Sequence, residues 1–130
     1  MTADSLADKL REVRQGLLRL HKALLDSERV RYEREHGRVE DGLRLLNLVA
    51  NDPLFAWLRQ LSALIVQIDE RLDSEEPLTA AEAKALRDEA RGLLAPGNSG
   101  AEFHRNYSRT LQENPDVVMM HAAVIKLLTA

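Results

Sequence analysis

Apolar residues at Leu6, Leu10, Val13, Leu17, Leu20 and Leu24 recur at alternating steps of four and three. The same rhythm returns at Leu54, Leu58, Leu61, Ile65, Ile68 and Leu72. This spacing gathers the apolar side chains on one stripe of a helix, whereas a strand, with its period of two, would scatter them over both faces. Two long stripes of this kind must bury one another. Alternating patterns over four or more residues are absent and the turns carry helix caps rather than hairpin dipeptides, so an all-α chain is expected.

Caps and breakers set the expected helices. The first runs over about 4–35, capped by Asp4 or Ser5 and stopped at His36-Gly37, and is roughly 45 Å long. Residues 40–50 read as a short helix presenting Leu43, Leu46 and Val49 or Ala50. Asp52-Pro53 is an N-cap followed by a proline at the first helical position, where its missing N–H is not needed. It opens a helix over 53–73 whose apolar face is widened by Phe55, Trp57 and Leu64. Thr79-Ala80-Ala81-Glu82 is a capping box opening a helix over 80–94, with Ala83, Leu86, Ala90 and Leu93 inward. Residues 95–100 read as a loop. A helix over 101–113 presents Phe103, Tyr107 and Leu111, and Asn114-Pro115 repeats the cap-and-proline step before a helix over 115–129.

Short connections favour antiparallel neighbours. The expectation is one domain over 1–130, an up-and-down antiparallel four-helix bundle with its second and fourth arms broken at Asp52-Pro53 and Asn114-Pro115. The third arm is much shorter than the first. One end of the first helix then lacks a neighbour, and 95–100 with 101–113 are placed to cover it.

Composition narrows function. Cysteine is absent, which excludes thiol nucleophiles, thiolate metal sites and disulfides, and no apolar run approaches the roughly 20 residues of a membrane span. A cytoplasmic location with no membrane partner is expected. Eighteen basic and 21 acidic residues give a net charge of −3, too balanced for a nucleic-acid partner bound by an electrostatic footprint. Charge is nevertheless segregated. Residues 9–38 carry nine Lys or Arg against five acids, and residues 69–89 carry eight acids against Arg71, Lys84 and Arg87.

Beside the first seam runs a second stripe, Leu18, His21, Leu25, Glu28 and Tyr32, whose lower half is polar. Part-buried polar groups need partners, and His104, Tyr107, Arg105 and Arg109 are the natural ones. Together with Trp57 they are candidates for a pocket at one end of the bundle, so His21, Glu28, Tyr32, Trp57, His104 and Tyr107 are the candidate ligand-binding residues. The competing reading is an internal network that sets helix register. Glu33-x-x-His36 has the spacing of a di-iron bundle ligand pair, yet it occurs once, at a helix end, and no metal or other cofactor is expected. No serine sits in an elbow and 97–100 is too short for a phosphate loop, so no catalytic residue is assigned.

The stretches DPLFAWLRQLSALIVQID and HKALLDSERVRYE resemble a family of small bacterial all-helical proteins of uncharacterised activity. The resemblance covers about a quarter of the chain. It implies a bacterial, cytosolic, all-helical protein and supplies no functional residue.

The leading expectation is a non-enzymatic helical interaction protein, self-associating or docking a protein partner, with Val117, Met120, Val124 and Leu127 as a leftover apolar stripe for a homodimer. A small-ligand binder or sensor is the alternative, and a metal-dependent helix-bundle enzyme the third.

Overall fold

In the computed structural model, residues 2–95 and 102–129 are described, and these form helices and their connections with no strand. The loop expected over 95–100 lies, apart from Ala95, outside the described residues. Among the described residues six α-helices succeed one another: α1 (Ala3–His36), α2 (Gly42–Asn51), α3 (Arg59–Asp73), α4 (Ala80–Leu94), α5 (Glu102–Glu113) and α6 (Pro115–Thr129), with a 3₁₀ turn (Pro53–Leu58) ahead of α3.

α1 starts a residue earlier than expected because Thr2, not Asp4 or Ser5, caps it, its hydroxyl accepting from the Ser5 N–H at 3.2 Å. Gly37 ends it with φ +83°, a left-handed value that glycine tolerates without a Cβ penalty. At 34 residues it is about 50 Å long. α3, α4, α6 and the 3₁₀ turn all pack on it. Arg14 bonds Asp69 at 3.1 Å while His21 meets Ser62 at 2.8 Å, so α1 and α3 run antiparallel. α6 also packs against α1, tightly at Gly16, where an added Cβ would sit 3.1 Å from both Val124 Cγ2 and Leu127 Cδ1.

The two Asx-Pro steps behave alike at their caps. The Asp52 carboxylate accepts from the Leu54 N–H at 2.9 Å and the Asn114 carboxamide from the Asp116 N–H at 3.0 Å. Beyond the proline the two steps diverge. Pro115 opens an α-helix, whereas Pro53 opens a 3₁₀ turn in which the Phe55 N–H donates to the Asp52 carbonyl at 3.1 Å. In such a turn residues three apart eclipse, which stacks Phe55 over Leu58, both fully buried. The helix expected over 53–73 is thus a 3₁₀ turn plus α3.

Two expected faces are corrected. α2 turns Leu45, Leu48 and Val49 towards the core and leaves Leu43 76 % and Leu46 66 % exposed, so it buries no residue fully. On α6, Val117 and Val124 are completely buried and Met120 and Leu127 partly so, because Gly16 admits that face against α1. The stripe expected as a dimer face is core, and α6 exposes Val118 and Met119 instead. On α4 the inward set ends on Leu94 rather than Leu93.

Between α3 and α4 the chain is tied by one side chain. Arg71 forms an ion pair with Glu82 and donates to the carbonyls of Glu76 at 3.1 Å and Pro77 at 2.9 Å. Thr79 completes the knot, accepting from the Glu82 N–H at 3.2 Å and donating its hydroxyl proton to the carboxylate at 2.9 Å. Hydrogen-bond donors gathered on Glu82 hold its carboxyl down at about 2, the Arg71 guanidinium contributing most.

Candidate functional site

The core seam of α1 does not end at Leu24. Steps of four carry it through Glu28 and Tyr32, so these two belong to the buried seam rather than to a neighbouring stripe, on which Leu18 is 42 % exposed. Glu28, 1 % exposed, is a carboxylate inside an apolar core. Arg109 of α5 reaches it, one Nη donating to Glu28 Oε1 and the other to Asn106 Oδ1 at 2.7 Å. Burial raises the Glu28 pKa above the usual carboxylate value, while Arg109, Arg31 and the Trp57 indole pull it back. Glu28 Oε2, the Trp57 indole N–H and Arg109 Nε are buried without hydrogen bonds.

Beside this charge stands a column of rings. Trp57 meets Phe103 edge-on at 5.3 Å, Phe103 stacks on Tyr107 at 5.4 Å, and the Tyr107 hydroxyl shares a 2.6 Å hydrogen bond with His121 Nδ1 on α6. Burial pushes the Tyr107 pKa up and the His121 pKa down, so both groups are neutral near pH 7. Tyr32 packs on Phe55 and on His36, ring centroids 6.1 and 4.4 Å apart.

The two remaining histidines bond elsewhere. His21 Nε2 lies 2.8 Å from Ser62 Oγ, and Ser62 sends its own proton to the Leu58 carbonyl at 3.2 Å, so the imidazole is the donor. That is the reverse of a base activating a serine nucleophile. His104 Nε2 lies 3.3 Å from the Gly92 carbonyl, which can only accept, so the proton is on Nε2 and the buried Nδ1 is left without a hydrogen bond.

The six sequence candidates are therefore distributed over several helix junctions. His21 links α1 to α3, Glu28 links α1 to α5, His104 links α5 to α4, and Tyr107 links α5 to α6. Trp57 and Tyr107 meet around Phe103 and Trp57 also lies by Glu28, while Tyr32 lies one turn beyond Glu28. His104 borders a groove between α3 and α4. Sequence reasoning missed His121 as the partner of Tyr107 and Ser62 as the partner of His21. Their separations of 14 and 41 residues have no local periodicity to betray them.

The Glu33-x-x-His36 pair is engaged. One Glu33 oxygen accepts from Arg29 Nε at 3.0 Å and the other from the Val39 N–H at 3.1 Å. No group of three or more His, Asp or Glu side chains able to hold a metal ion occurs among the described residues, and none of the helices there is long and apolar enough to cross a membrane. No protein-family model, curated protein or solved structure matches the chain, so no residue role is carried over from another protein.

Proposed function

We propose that this chain is a non-enzymatic helical interaction protein that self-associates through α2. The observation that carries the reading is the exposure of Leu43 and Leu46 on a helix that buries no residue fully. With Ala50 they stand at i, i+3 and i+7, a seam with no charge in it that is its own complement about a two-fold axis. The polar junctions support the same reading, since each fastens a pair of helices. On this reading α2 with α3, and α5 with α6, serve as the broken arms of a four-arm bundle in the cytoplasm.

The face is small. Leu43 and Leu46 of the two copies, 76 % and 66 % exposed, contribute roughly 4–8 kcal/mol on burial, against an association cost of about 4 kcal/mol or more. A weak, concentration-dependent dimer is expected. Sedimentation velocity over a dilution series tests it: the wild type should shift from monomer to dimer and the Leu43→Ser/Leu46→Ser variant should stay monomeric. A wild type that remains monomeric at the highest concentration, or a variant that dimerises equally, overturns the proposal.

A further inference from the structure

Between α3 and α4 runs an open groove of about 400 Å³, bordered at one end by His104 of α5. Its α4 wall is interrupted at Gly92, where an added Cβ would meet no atom within 4 Å. Glycine lowers the stability of a helix, and nothing in the surrounding packing requires one here. Gly16 is the contrast, since there the close approach of α6 does. Gly92 leaves room on the groove side of α4.

The groove also carries hydrogen-bonding capacity that the fold leaves unused. Gln60 and Gln67 of α3 and Glu89 of α4, all three exposed, line it, and none has a hydrogen bond or ion pair among the described residues. None of the five cations on the same two helices lines the groove: Arg59 donates to the Ala50 carbonyl and Arg87 acts on Asp88. Arg71 is held by Glu82, and Lys84 and Arg91 both pair with Asp88. Glu89 is therefore left without a counter-charge in the acid-rich part of the chain, beside the apolar walls of Leu64 and Leu93.

We propose that this groove binds a guanidinium group. A carboxylate takes the guanidinium fork through two parallel bonds, and carboxamide oxygens accept from its remaining N–H groups. The cation is planar and weakly hydrated, so leucine walls and an imidazole edge suit it. An ammonium is more strongly hydrated and loses more on leaving water. An anionic ligand would meet Glu89 and find no cation lining the groove. The guanidinium can come from a free small molecule or from an arginine side chain of a peptide.

The test is an NMR titration of the labelled full chain with N-acetyl-arginine amide, with the citrulline and lysine amides as comparators and an arginine-containing hexapeptide as the second source. Saturable shifts centred on Gly92, Gln67 and His104 are expected with arginine, weaker ones with lysine and none with uncharged citrulline. Glu89→Gln should weaken binding at least tenfold. Gly92→Leu should abolish it with an unchanged or higher melting temperature, because the new side chain fills the groove and favours the helix. Tighter binding of the hexapeptide would name a protein partner as the source, and equal binding a free guanidino compound. Absence of saturable shifts, equal binding of citrulline, or intact binding in a folded Gly92→Leu chain would each overturn the proposal. Repeating the titration in Leu43→Ser/Leu46→Ser keeps it separate from self-association, since groove binding persists there whether or not α2 dimerises.

Discussion

Glu28 and Arg109, 81 residues apart in sequence, form an ion pair that joins the last third of α1 to α5. The carboxylate is buried and the guanidinium side chain is 27 % exposed, so the pair is anchored from inside and open to solvent at its outer end.

Removing the cation leaves an uncompensated buried carboxylate. Arg109→Met should cost about 2–4 kcal/mol at pH 7, somewhat below a fully buried pair because Arg109 is partly solvated. The Glu28 pKa is raised above 4.5, so its protonated form is favoured by the fold. Its contribution is therefore complete below pH 4.5 and is lost as pH rises through the raised value. The cost of Arg109→Met should accordingly shrink towards pH 4.5 in urea denaturation. An equal cost at pH 4.5 and pH 7 would show that Glu28 is not the residue left stranded.

Two histidines push the other way. Burial lowers the pKa values of His21 and His121 below 6.5. The unfolded chain then binds more protons between each lowered value and 6.5, so this stability is complete above pH 6.5 and is lost as pH falls through the lowered values. Titration of the imidazole Cε1–H resonances should place both midpoints below 6.5. A midpoint at or above 6.5 for His121 would contradict its buried bond with Tyr107.

Gly16 and Gly92 offer a paired measurement. Alanine at either position removes the helix penalty of glycine, about 0.5–1 kcal/mol. At Gly92 the methyl meets open space, and the variant should gain that amount. At Gly16 it presses on Val124 and Leu127 at 3.1 Å, which brings an overpacking cost of about 1–3 kcal/mol. Gly16→Ala should melt below the wild type and Gly92→Ala above it. The reverse order would mean that α6 yields readily at Gly16.

Arg71 holds the α3 to α4 connection, and its effect should be readable on Glu82. Arg71→Ala should move the Glu82 carboxyl from about 2 back towards 4.5, measured by carboxyl-carbon NMR. Because the folded value is depressed, the contribution of Glu82 is complete above pH 4.5 and fades as pH falls towards 2. The variant should therefore lose most of its stability difference from wild type near pH 2. A Glu82 midpoint that stays near 2 without Arg71 would assign the shift to Thr79.

What could be read from the sequence was local. Asp52, Thr79 and Asn114 announce their helices because a cap bonds an N–H two or three residues away. The seam from Leu6 to Leu24 is legible for the same reason. Residues 43–49 offer two apolar stripes, Leu43 with Leu46 and Leu45 with Leu48 and Val49, and helical period alone cannot choose between them. The 3₁₀ turn decides, since α2 packs against it and takes the second stripe inward. The candidate site was only partly legible. Its residue types marked polar groups in need of partners, but Arg109, Ser62 and His121 lie far off in sequence, where no spacing rule reaches.

The central place of α1 also orders the birth of the molecule. α1 leaves the ribosome before every helix that covers it, and α6, the last of the six to be made, supplies Val117, Val124 and Leu128 to its seam. Until α6 has emerged, part of the Leu6 to Leu24 stripe has no cover. That part of the stripe waits for its cover while synthesis, at about 5–20 residues per second, runs through α6. Completion of α6 thus closes the cover that the described helices give to α1.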